Sequence, residues 1–195
     1  NGGQNIGLAA SNNSMNLGVE HDDWTLESLG NGLYNIKNVG RGNYMEWYTK
    51  FSNWSTYTAS NAASDDQFQL SIYVIGKGLV SDAGNGGNEG GNSGTITPPD
   101  VPVNPPVSGG NAAIANGDQV VIFAPAFGKA LSADKVDANS YYNKGVDVTF
   151  VNNELSGYGD AEIWTVIINA DGTYSFANGG QNIGLAASNN SMNLG

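Results

Sequence analysis

The chain has 195 residues, 18 acidic against 7 basic, and a formal net charge of −11 at pH 7, which repels a phosphate backbone and argues against a nucleic-acid partner. Cysteine is absent and His21 is the single histidine, so disulfides, thiolate chemistry and multi-histidine zinc sites are excluded. No run approaches the roughly 18 consecutive apolar residues that a helical membrane span needs.

The sequence opens with NGGQNIGLAASNNSMNLG (1–18) and closes with the same 18 residues (178–195), a period of 177 residues. Identity of that length does not arise by chance. No signal peptide is read in these residues, and since the chain starts inside its own pattern, whatever precedes it is expected to have been removed or left out. Apolar residues seldom recur at i, i+3 and i+4, whereas short alternating runs between Gly, Asn and Pro turns are everywhere. The expectation is an all-β protein. Abundant Gly, Asn, Ser and Thr with few charges suits an extracellular one.

EHDDWTLESL (Glu20–Leu29) follows the first copy and holds the sole His–carboxylate group. Its bland reading, favoured here, is an acidic turn ahead of a core strand carrying Trp24. GLYNIKNVGRGNYMEWY (Gly32–Tyr48) is an alternating strand, a turn and a second strand. It runs into MEWYTKFSNWSTYT (Met45–Thr58), the densest aromatic stretch of the chain, with Trp47 expected in the core. SDDQFQLSIYV (Ser64–Val74) closes that unit with an acid, Phe68 and another alternating strand. NWS at Asn53 and NNS at Asn12 match the glycosylation acceptor, a pattern often met by chance.

Residues 76–112 carry five of the six prolines and too few large apolar side chains to offset their ordering entropy, and they read as a linker. Asp82 and Glu89 in it flank backbone carbonyls, but their spacing fits no calcium loop well. DQVVIFAPAFGKALSAD (Asp118–Asp134) opens another unit, which GDAEIWTVII (Gly159–Ile168) closes around Trp164. Asp137 and Asn139 between them lack a later acidic ligand and read as a turn. GTYSFANGGQNIGLAAS (Gly172–Ser188) opens the second unit, whose closing half is Glu20–Leu29 at the other end of the chain. Asn-Gly at Asn31, Asn116 and Asn178 marks tight turns.

Asp160…Trp164, Asp22…Trp24 and Asp66…Phe68 thus end three cognate units of four short strands each. With the three matching openings, they resemble the ricin-type β-trefoil family, whose Gln-x-Trp signature stands where these closings stand. The family's Gln is present once, as Gln67 before Phe68. The wording is also similar to accessory modules of secreted Gram-positive bacterial enzymes. The resemblance implies a β-trefoil, here split around the linker. Residues 1–75 are the C-terminal half (the end of unit 2 and all of unit 3). Residues 113–195 are the N-terminal half (unit 1 and the start of unit 2).

The resemblance also implies a sugar site in the third unit. There Glu46 stands at the family's acid position, Tyr48 turns outward beside it, Trp54 or Tyr57 stacks on a sugar ring, and Asp65 or Asp66 binds hydroxyls. Ser132 and Ala186 (Ala9 in the other copy) hold the acid position in the other units and cannot serve. No nucleophile elbow, thiol or converging carboxylate pair is present, so no enzyme is expected, and no cofactor.

The repeat is the stronger lead. Because unit 2 is split, its halves close within one chain, or across chains head to tail with copies of itself as partners. One 18-residue copy is then surplus. Ile6, Leu8, Met15 and Leu17 in the first copy, with Ile183, Leu185, Met192 and Leu194 in the second, are the expected assembly residues, able to pair with an open edge. A self-assembling array comes first, and a glycan-binding module second.

Overall fold

The computed structural model describes residues 14–18, 20–80, 112–138 and 140–185. In chain order its strands are β1 (Asn16–Leu17), β2 (Trp24–Gly30), β3 (Leu33–Asn38), β4 (Tyr44–Tyr48), β5 (Asn53–Tyr57), β6 (Ser71–Val74) and β7 (Gly78–Leu79). After residues 81–111 come β8 (Gln119–Ala124), β9 (Lys129–Lys135), β10 (Asn143–Asp147), β11 (Thr149–Val151), β12 (Glu154–Ser156), β13 (Trp164–Ile168), β14 (Tyr174–Asn178) and β15 (Gln181–Gly184). Ala62–Ser64 and Asp160–Glu162 form single 3₁₀ turns. The fold is all-β, and every strand-to-strand pairing is antiparallel.

The pairings run in a cycle. β8 pairs β13, β13 pairs β14, β14 pairs β2 and β2 pairs β3. Tyr34 in β3 then bridges Leu70, just before β6, and β6 returns to β8. Alternation decides what the ring encloses, because successive side chains point to opposite faces. Trp24, Ile36, Ile72, Val120, Ile122, Trp164, Val166 and Phe176 are fully buried in one cluster. Three further hairpins, β4–β5, β9–β10 and β15–β1, leave the ring and add Met45, Trp47, Trp54, Leu131, Ile183 and Met15 to that core.

A second, smaller cluster lies on the outer face of β6 and β8, where Tyr73, Val121 and Phe123 point away from the ring. The β11–β12 hairpin folds over them. Phe150 meets Tyr73 edge-on at 6.3 Å and lies 6.0 Å from Phe123, while Leu155 is buried. Asn152 and Asn153 close this hairpin with φ of 53° and 64°, the two positive values that a two-residue type I′ turn requires. Asn31–Gly32 does the same between β2 and β3. After β14 the turn falls one residue later than Asn178-Gly179 suggests, on Gly179 and Gly180.

The segment read as a linker, 76–112, is ordered at both ends. Gly78–Leu79 pairs with β6, Val80 and Ala112 are buried, and the two form a parallel bridge. The Ala112 amide donates to the Leu79 carbonyl at 3.2 Å. The rest of the segment, with Asp82 and Glu89, lies outside the described residues, as does Asn139.

Candidate functional site

The two copies of the repeat meet within one chain, each giving one strand. Asn16 pairs with Gly184 and Leu17 with Ile183, so β15 comes from the second copy and β1 from the first. Met15 is fully buried, and Leu17 packs against the same cluster. Gly18 donates its amide to the Asn182 carbonyl at 2.8 Å. Of the expected assembly residues, Met15, Leu17, Ile183 and Leu185 therefore meet in one place, and Ile183 and Leu185 are fully buried. Ile6, Leu8, Met192 and Leu194 lie outside the described residues.

The acidic loop after the first copy secures this closure. Asp22 accepts from Asn182, and Asp23 Oδ1 accepts from Asn169 at 2.8 Å and Ser175 at 3.3 Å. The His21 carbonyl accepts from the Leu185 amide at 3.1 Å and Asn38 Nδ2 at 2.7 Å. A Cβ on Gly184 would stand 2.8 Å from both Asp22 Cα and the His21 carbonyl oxygen, so only glycine allows β15 so close to this loop. The loop fastens residues 20–23 to β14 and β15, with the Asp22 and Asp23 carboxylates engaged and Glu20 exposed.

Lys135 completes the seat and gives no sign of it in the sequence. Its Nζ donates to the Met15 carbonyl, to the Tyr141 carbonyl at 3.2 Å and to Asn143 Oδ1 at 3.0 Å. Burial lowers its pKa to about 8, since a desolvated ammonium is disfavoured.

The second candidate region is the outer face of the β4–β5 hairpin. The register sets Tyr44 opposite Tyr57, Glu46 opposite Ser55 and Tyr48 opposite Asn53 on one face, with Met45, Trp47, Trp54 and Thr56 on the other. Glu46 does lie away from the core, as expected, but it is buried, with Oε1 accepting from Ser55 Oγ at 2.6 Å. Burial pushes its pKa up, the Ser55 hydrogen bond opposes that, and the charge of Asp65 adds to it. Tyr48 is half-buried against Phe51, and Tyr57 is 55% exposed. Asp65 is half-buried and accepts from the Gln67 amide at 3.1 Å, while Asp66 is exposed.

Trp54 does not fit the stacking role set out for it. It is fully buried, edge-on to Trp47 at 5.9 Å, and its Nε1 donates to the Ala130 carbonyl at 3.0 Å. Its ring fills the core, and on the outer face Tyr57 is the exposed ring, with Tyr44 beside it. Tyr44 was not singled out in the sequence, although alternation from Glu46 gives its direction. Gln67, the one Gln that stands directly before a closing aromatic, accepts from the Thr49 amide at 3.0 Å and hydroxyl at 2.9 Å and so holds the turn after β4. At the cognate position of unit 1, Ser132 is fully buried; Ala186 lies outside the described residues.

Among the described residues no cluster of three or more His, Asp or Glu side chains could hold a metal ion. None of their helices is long and apolar enough to cross a membrane. The fold is all-β, and strands from the two copies of the repeat pair within it. The sequence matches no protein-family model, and no curated protein matches it.

Proposed function

We propose that the chain is a non-catalytic β-trefoil module of a secreted or cell-surface protein, which builds a tandem array or filament by complementation between domain halves. The trefoil reading is supported by the six-strand cycle with one outlying hairpin in each of three cognate units.

The observation that carries the assembly reading is the composite hairpin. Residues 14–80 and 112–185 are two half-domains that share one core and meet along β1–β15, β2–β14, β5–β10 and β6–β8. Neither half keeps that core from water alone, so each needs the other. The same surfaces serve whether the partner half comes from the same chain or from another. In the second case each chain carries one donated and one accepted half, and the contact propagates head to tail. Light scattering across a concentration series, with electron microscopy of the same samples, tests this. Oligomers or fibres that grow with concentration are expected, and a monomer at every concentration overturns it.

The second reading, a glycan-binding module, is favoured by one feature. The buried Glu46–Ser55 pair lies on a face flanked by Tyr44, Tyr48 and the exposed Tyr57, which suits hydroxyl recognition beside a stacking ring. Retention on immobilised glycans is then lost in Glu46→Gln and in Tyr57→Ala. If both variants are retained like the wild type, the reading falls.

A further inference from the structure

The seat beside β15 holds a strand that exists twice in the chain. Ser14–Gly18 reads SMNLG, and residues 191–195 read SMNLG. The seat recognises that sequence by three features. Met15 is fully buried in the core, Leu17 packs beside it, and Lys135 grips the Met15 carbonyl. All three features suit the second copy equally, because side chains and backbone are the same.

The two copies are also tethered alike. Six residues, 18–23, separate β1 from β2. Eight residues, 185–192, separate the end of β15 from Asn193–Leu194, which correspond to Asn16–Leu17. Loop-closure entropy changes slowly with length, so tethers of six and eight residues differ little in cost.

The hold on the present occupant is meanwhile thin. Among the described residues, Asn16 and Leu17 pair with β15 and Gly18 adds one hydrogen bond, to the Asn182 carbonyl. The buried Ser14 Oγ has no hydrogen-bond partner among the described residues, which weakens the fit of this segment.

We infer that the groove formed by β15, Lys135 and the core around Trp24 and Leu131 is a strand-binding site for SMNLG, filled by residues 14–18 in one state and by residues 191–195 in another. The inference rests on the reading of the chain as two complementary halves. It differs from self-assembly in needing no second molecule. A second chain's copy fits the site too, but that exchange depends on concentration and exchange within one chain does not. In the second state 178–195 forms a continuous hairpin in its own seat, and residues 1–18 leave the body.

The chain has three methionines, Met15, Met45 and Met192, so methyl-labelled methionine reports the seat directly. The spectrum is recorded on the full chain at a concentration where scattering gives the monomer mass. Met15→Leu and Met192→Leu variants assign the signals. Met45, buried throughout, is the fixed reference. Met15 and Met192 are each expected to show a buried and an exposed signal, with the two buried fractions summing to one and their ratio within about tenfold of unity. A single buried Met15 and a single exposed Met192 overturn the inference, whatever the assembly experiment shows.

A second measurement covers the case in which the signals are not resolved. Met15→Asp bars the first copy from the apolar seat. Its melting temperature should stay within a few degrees of wild type while Met192 becomes wholly buried, and Met15→Asp/Met192→Asp should melt far lower. Equal losses in the single and double variants overturn the inference. Conversely, exchange seen in a chain that stays monomeric at every concentration leaves the site standing and removes the filament.

Discussion

Trp54 shows how much one residue's direction decides. Counted from Met45, the aromatic run offers several outward candidates, and nothing in NWSTY says which face Trp54 takes. The turn between β4 and β5 sets the register, and a one-residue slip would flip every side chain in the strand. With Trp47 opposite Trp54, both rings go inward. Trp54→Ala should therefore cost about 3–5 kcal/mol in denaturant unfolding, the scale of emptying a buried indole site, whatever glycan is present.

Glu46 has a testable sign of its own. Its carboxyl is raised by burial, so the folded state holds the proton more tightly than the unfolded chain. Its contribution to stability is fully present below the usual carboxylate value of about 4.5 and is lost as pH rises through the folded pKa. Glu46→Gln should remove that decline, and at pH 7 should melt no lower than wild type, read by thermal unfolding from pH 4 to 8. Lys135 works at the other end of the scale. Its folded pKa of about 8 lies below the usual 10.5, so wild-type stability should rise between those two values. Lys135→Met should flatten that rise, and denaturant midpoints over the same range check it.

At the scale of elements, alternation and turn residues were enough to read strands, and the acid-plus-aromatic closings are the basis for reading three units. The exact repeat also suggests that the two ends of the chain meet, and β1 from the first copy does pair with β15 from the second. Contacts between segments far apart in the chain were not legible. Lys135 reaches Met15 across 120 residues, and the acidic loop that looked solvated is engaged by Asn169, Ser175 and Asn182. The β11–β12 hairpin escaped notice for a similar reason. Its apolar residues make sense only against Tyr73, in another unit, and Phe123, in an earlier strand of its own. That cover is worth stability. Leu155→Ala should cost about 2–4 kcal/mol in denaturant unfolding, with the ring core left intact. An unchanged midpoint would mean that the hairpin only decorates β6 and β8.

For the whole molecule, the two half-domains should outlive the chain that joins them. A protease cut confined to 81–111 is expected to leave 14–80 and 112–185 together on size exclusion, since their contact is a shared core. Denaturant should then separate them, and recovery of the complex on dilution should depend on concentration, unlike that of the uncut chain. Fragments that part without denaturant would show that the two halves do not hold each other.

The bridge between Val80 and Ala112 has a mechanical meaning for any array of such bodies. The chain leaves and re-enters the fold at adjacent residues, joined by one hydrogen bond from the Ala112 amide to the Leu79 carbonyl. A pull on the two connecting segments is thus applied at a single corner and peels strand ends apart one bond at a time, while the buried tryptophans carry no load. In a proposed array joined through these ends, each body would hang from one corner, like a pendant on a cord.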